Sequence, residues 1–114
     1  MVLQQGEKIH IINRRLFESD IRRHFAGTVE LATEQAARVR GYVFVWEPRV
    51  NQFQKRKELR TRIISLIDAS LIINVLPDDV DIERLQYQTA PPDNHLVMTD
   101  GKYSLDINEF GSTR

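Results

Sequence analysis

The chain contains no cysteine, which removes disulfides, thiol nucleophiles and thiolate metal sites together. Glycine is sparse and scattered, at Gly6, Gly27, Gly41, Gly101 and Gly111. That spacing excludes a glycine-rich phosphate loop and a nucleophile elbow, both of which need clustered glycines for close backbone approach. The longest purely apolar runs are short, Tyr42–Trp46 being typical, against the roughly 20 residues needed to span a bilayer as a helix. Met1 to Gly6 lacks the basic start and apolar centre of a signal peptide, so the expected location is cytoplasmic, with no membrane partner. Charge of one sign is also missing overall, because 16 Lys and Arg balance 16 Asp and Glu.

What is present is a 114-residue chain with 41% hydrophobic and 28% charged residues, an ordinary globular composition for one domain with one modest core. The charge is divided unevenly. Residues 1–62 hold thirteen basic against seven acidic side chains, and residues 63–114 hold three against nine, so the halves carry +6 and −6. Such a split suits a basic face for an anionic partner, or pairing of the two halves within the fold or head to tail between subunits.

Local pattern reads as strand almost throughout. Lys8–Ile12 alternates, and Asn13–Asp20 reads as a turn or short helix. From Phe25, alternation puts Phe25, Gly27, Val29 and Leu31 on one face, with Thr28 and Glu30 on the other. The return strand, Arg38–Trp46, carries Val39, Gly41, Val43 and Val45 on one face and Arg40, Tyr42, Phe44 and Trp46 on the other. Ala32–Ala37 is rich in Ala, Glu and Gln, so a helix over Val29–Val39 competes with the preferred reading, a hairpin with a long connection. Pro48 breaks the strand, Phe53 begins another that runs into the basic Lys55-Arg56-Lys57, and Arg60–Ile67 follows. Asp68-Ala69-Ser70 turns the chain into Leu71–Leu76. These last two strands are nearly continuous apolar runs, which predicts that at least one is covered on both faces. Beyond Pro77 come an acidic stretch, Asp78–Glu83, a further strand over Arg84–Gln88 and a loop at Ala90–Asn94. Asp100-Gly101 then reads as a tight hairpin turn between His95–Thr99 and Lys102–Ile107.

No constellation names a reaction. His10, His24 and His95 are far apart in sequence, and no pair has metal-ligand spacing. Arg22 and Arg23 beside His24 oppose a bound cation. Asp78, Asp79, Asp81 and Glu83 lack the glycine and bidentate glutamate of a calcium loop, and read as a solvated turn or as partners for basic groups. No catalytic residue, cofactor or metal is therefore assigned. A small hydrolase or metal-dependent enzyme rests only on His10, His24 and scattered carboxylates. The basic set is richer: Arg14, Arg15, Arg22, Arg23, Arg38, Arg40, Lys55, Arg56, Lys57, Arg60 and Arg62. Arg38 and Arg40 share a strand face with Tyr42, Phe44 and Trp46, and cations interleaved with flat rings are what single-stranded nucleic acid requires. The competing reading puts those rings in the core.

Gly27-Thr28-Val29-Glu30-Leu31, then Val39-Arg40-Gly41, Glu47, Asn51 and Phe53, resembles the first motif of the Sm/LSm family. There an acidic residue follows the strand glycine by six positions and an asparagine comes four later. The resemblance covers residues 25–77, and Asp68-Ala69-Ser70 stands where the second motif carries Arg-Gly. It implies a strongly bent small barrel that forms a ring through its edge strands, with single-stranded RNA at Asn51 and Glu47 nearby. The expected fold is thus mainly β. It is a small, strongly bent SH3/Sm-like barrel with an added C-terminal β-hairpin, one domain over residues 1–114. An N-terminal strand or short helix fills residues 1–24, the barrel core residues 25–77 and an acidic extension with hairpin residues 78–114. The expected function is a non-catalytic binding or assembly module forming a homo-oligomer through edge strands. The alternative is a single-stranded nucleic-acid-binding module using Arg38, Arg40, Glu47, Asn51, Lys55, Arg56 and Lys57.

Overall fold

Runs of β-branched and aromatic residues broken by Pro48, Pro77 and Pro91 form nine strands in the computed structural model, which describes residues 2–14, 22–92 and 94–107. The chain divides into two compact units, Met1–Asp78 and Asp79–Arg114. The first contains β1 (Lys8–Asn13), β2 (Arg23–Ala32), β3 (Ala36–Glu47), β4 (Gln52–Lys55), β5 (Arg60–Ser65) and β6 (Leu71–Leu76). All pair antiparallel in the order β4-β3-β2-β1-β6, with β5 on the other half of β3. The mainly β expectation holds, and no helix among the described residues is long and apolar enough to cross a membrane. The turn or short helix expected over Asn13–Asp20 falls largely outside the described residues, although Asn13 itself ends β1.

The sheet is bent because two glycines face each other. Gly27 and Gly41 are paired across β2 and β3. A methyl group built on Gly41 would lie 1.9 Å from the Ala26 carbonyl oxygen and 2.5 Å from the Gly27 Cα. One built on Gly27 would lie 2.4 Å from the Arg40 carbonyl oxygen. Both obstacles are backbone, so no side chain could step aside, and only glycine fits. Past this point β3 changes partner: Ala36–Gly41 pairs with β5 and Phe44–Glu47 with β4. The inner face of the bend gathers the core, formed by Leu3, Ile9, Ile11, Phe25, Val29, Ala32, Ala37, Val39 and Val43. Val45, Ile64, Leu66, Leu71 and Ile73 pack against it. Removing each large member from water contributes about 1.5–3 kcal/mol.

Four expectations are corrected. The alternation that placed Leu31 on the face of Phe25 and Val29 fails because the register shifts between Val29 and Leu31. The extra residue turns Leu31 outward, 56% exposed, and Ala32 inward. The Ala-rich segment is neither a helix nor a long connection, since β2 and β3 are joined by Thr33–Gln35 alone. The Thr33 hydroxyl accepts from the amides of Gln35 (3.2 Å) and Ala36 (3.1 Å), and the Thr33 amide donates to the Ala36 carbonyl. Those local bonds override the helical propensity. Finally, the expected small barrel is not closed. Among the described residues β6 at one end and β4 and β5, both on β3, at the other each pair along one edge only. Residues of β5 alternate between half-buried and exposed, and those of β6 are half-buried from Leu71 to Asn74, so neither strand is fully covered on both faces.

The second unit is a meander of β7 (Gln86–Ala90), β8 (His95–Thr99) and β9 (Ser104–Asp106), preceded by a short 3-10 helix, Ile82–Arg84, capped by the Asp81 carboxylate. Val80, Leu85 and Met98 are fully buried. The expected β8–β9 hairpin is present, but its turn spans four residues, Asp100–Tyr103, rather than Asp-Gly alone. The Asp100 carboxylate explains the longer turn. It accepts from the amides of Lys102 (2.9 Å) and Tyr103 (2.8 Å) and, across the unit, Asp81 (2.9 Å). These backbone bonds, that from Asp81 foremost, hold its pKa down to about 2.

The bend makes a specific demand. Gly41→Ala is expected to destabilise the first unit by about 2 kcal/mol or more, the cost of forcing an atom into a filled site. Urea unfolding measures this, and an unchanged midpoint would refute the close approach.

Candidate functional site

Side chains opposite the core line the outer face of the sheet, and register places them in rows. His10 on β1 is paired with Ala26 on β2 and with Asn74 on β6. His24 is paired with Ile12 and with Phe44, which is paired in turn with Lys55. Trp46 faces Phe53. A continuous line of rings follows: Trp46 meets Phe53 edge-on at 5.3 Å, Phe53 meets His24 at 4.8 Å, and His24 meets His10 edge-on at 5.3 Å. Two cations rest on this line. The Arg22 guanidinium lies 5.4 Å from the Trp46 ring centre, and the Lys55 ammonium lies 4.5 Å from that of Tyr42 and 5.8 Å from that of Phe44.

The residues proposed for nucleic acid divide into three groups. Arg40 and Lys55 share the face of Tyr42, Phe44 and Trp46, and Arg38 lies at its far end, where β3 pairs with β5. Arg38 and Arg40 are exposed; Tyr42 and Trp46 are half-buried; Phe44 is buried. Arg56 and Lys57 stand in the exposed β4–β5 loop. Glu47 and Asn51 belong to the β3–β4 turn. Asn51 takes the left-handed backbone region at φ 55°. The Glu47 carboxylate accepts from Arg49 Nε (3.0 Å) and, less closely, from the Arg49 amide (3.3 Å). That side-chain bond is the chief reason its pKa falls. Both residues shape a turn, and neither is brought onto the ring line. Arg22, His24 and Phe53 complete that line although none was assigned to it; the signal was the strand register, which needs β4 placed opposite Trp46.

His10 and His24 come together from positions fourteen apart, yet in a setting that favours neutral rings. Both are buried, His10 fully. Burial lowers the pKa of His10 to about 4 and that of His24 to about 3, with the charges of His10 and Arg22 adding to the latter. Asn74 Nδ2 lies 3.4 Å from His10 Nδ1. An amide N–H only donates, so this contact requires an unprotonated Nδ1. Among the described residues no group of three His, Asp or Glu side chains is placed to hold a metal ion. The third histidine, His95, lies 3.9 Å from Asp106 in the second unit.

Comparison of the chain with models of known families, with curated proteins and with solved structures gave no match.

The histidine pair gives the first unit an acid response. The unfolded chain takes up these two protons near pH 6.5, whereas the folded chain resists until about 4 and 3. Unfolding is therefore favoured as pH falls below 6.5, by about 1.4 kcal/mol per pH unit for each histidine, and the loss levels off once both folded rings are charged. Imidazole NMR titration is expected to show both rings neutral at about pH 5. Titration near 6.5 would contradict the burial.

Proposed function

We propose that this chain is a non-catalytic binding and assembly module, a small bent β domain of Sm-like kind that forms a homo-oligomer through its edge strands. One observation carries this reading: among the described residues three strands of the open sheet, β4, β5 and β6, each pair along one edge only, and β5 and β6 also present exposed apolar side chains. Ile63 on β5 is 70% exposed and Val75 on β6 is 54% exposed. An unpaired strand edge bearing apolar residues is a template for another chain.

Charge selects how the edges would meet. Two copies of β5 paired antiparallel about Thr61 would set Arg60 of each against Arg62 of the other, and like charges across a ladder repel. Pairing β5 of one copy with β6 of the next avoids this and propagates head to tail, an arrangement that closes as a ring when the rotation between copies permits. Run antiparallel, it also places the start of β5, preceded by Lys55-Arg56-Lys57, beside the end of β6, followed by Asp78, Asp79 and Asp81. The +6/−6 division of the sequence is thereby used between subunits.

The nucleic-acid reading is less well supported on the outer face. Lys55 and Arg22 already lie over the rings that an unstacked base would need, and Phe44 is buried.

Size-exclusion chromatography with light scattering tests the proposal. An oligomer is expected at low ionic strength, weakening between about 0.05 and 0.5 M salt as the contact is screened. Ile63→Asp is expected to yield monomer without loss of strand content by circular dichroism. A wild-type chain that is monomeric at both salt concentrations would overturn the reading.

A further inference from the structure

On the inner side of the bend, the row formed by Gly27 and Gly41 carries no side chain; Arg60 and Arg62 stand at and beside it, and Arg23 lies on the same face further along β2. Arg60 on β5 is paired with Gly41 itself, Arg62 with Val39 one row away, and Arg23 on β2 with Val45, beyond the Phe25–Val43 row. Paired residues point to the same face of a sheet, so all three belong to the inner face. Arg62 extends across the gap left by the glycines until its guanidinium lies 5.6 Å from the Phe25 ring centre.

The three charges are close enough to act on one another. Burial first, and then the charges of Arg60 and Arg23, depress the Arg62 pKa. Among the described residues compensation is slight. Arg60 meets Glu58 at 3.7 Å with both side chains well exposed, a geometry of little energetic weight. Among the described residues no carboxylate lies within ion-pair distance of Arg23 or Arg62. Three like charges held together, one of them partly desolvated over an aromatic ring, form an arrangement that an anion relieves.

We propose that Arg23, Arg60 and Arg62 form a binding site for a phosphate-class oxyanion on the inner face of the sheet, at the Gly27–Gly41 bend. Guanidinium forks match the oxygens of such a group two at a time, which a point charge does not. The glycine row leaves Arg62 a path to reach it. The site is separate from the outer-face rings and does not depend on subunit assembly, because it uses side chains of β5 and not its free backbone edge. The phosphate has two available sources, a free phosphorylated small molecule or the backbone of a nucleic acid strand.

Pyrophosphate and a single-stranded eight-residue oligothymidylate serve as probes, each titrated into the full chain while arginine side-chain Nε–Hε signals are followed by NMR. Pyrophosphate is expected to shift the signals of Arg23, Arg60 and Arg62 ahead of those of Arg56 and Arg38. Arg62→Gln is expected to weaken its binding about tenfold or more, with Lys57→Gln as an unaffected control. Arg62→Lys, which keeps the charge but not the fork, is expected to restore only part of the affinity. Arg23→Gln provides the same test should the Arg62 variants fail to fold. If the oligothymidylate shifts the same three signals and competes with pyrophosphate, the phosphate is that of a strand; pyrophosphate alone assigns a free ligand. No shift from either probe, or equal shifts at Arg38, Arg56 and the three arginines, overturns the site.

Discussion

The first unit depends on two strands passing closer than side chains permit. Gly27 and Gly41 meet backbone to backbone, and at that contact β3 passes from β5 to β4. Twelve residues of β3 thus serve two neighbours, and the sheet curls about the core built on Ile9, Ile11, Phe25, Val29 and Val39. A flat sheet of the same strands would leave one face of these residues wet. The bend therefore creates the interior as well as shaping the surface.

Its consequences differ on the two faces. Outside, Trp46, Phe53, His24 and His10 form one line of rings, and the two histidines are buried. Neutral imidazoles are then structural parts, which leaves little for general acid–base chemistry near neutral pH. Inside, the same glycines clear a row that Arg62 crosses toward Phe25. At the ends, the curl stops short of closure, and among the described residues β4, β5 and β6 each pair along one edge only. Assembly and anion binding draw on different parts of β5, its backbone edge and its inward side chains.

Much of this was legible in the sequence, element by element. Local pattern located β1, β2, β3, β5, β6 and β8 and put Val39, Gly41, Val43 and Val45 on one face of β3; that this face, and not the aromatic one, lines the main core emerges only in the fold. What depended on pairing was not. Leu31 continues a regular alternation, so the one-residue bulge that turns it outward leaves no local trace. Helix formers at Ala32–Ala37 outweighed Thr33 because its two hydroxyl bonds exist only once the hairpin has closed. The meeting of His10 with His24 and of Phe53 with Trp46 follows from register across three strands, which composition does not encode. Glu47 and Asn51 kept their spacing in the sequence, but the structure uses them to build a turn.

Because the chain has no cysteine of its own, the central claim of an assembly built from β5 and β6 is open to direct cross-linking. A variant carrying Thr61→Cys and Val75→Cys places one thiol near the start of β5 and one near the end of β6, the two positions that antiparallel pairing between copies would bring together. Mild oxidation is expected to yield covalent multimers on non-reducing gels that neither single variant produces beyond a dimer. A double variant that remains monomeric, while Thr61→Cys with Ile72→Cys cross-links instead, would contradict that arrangement.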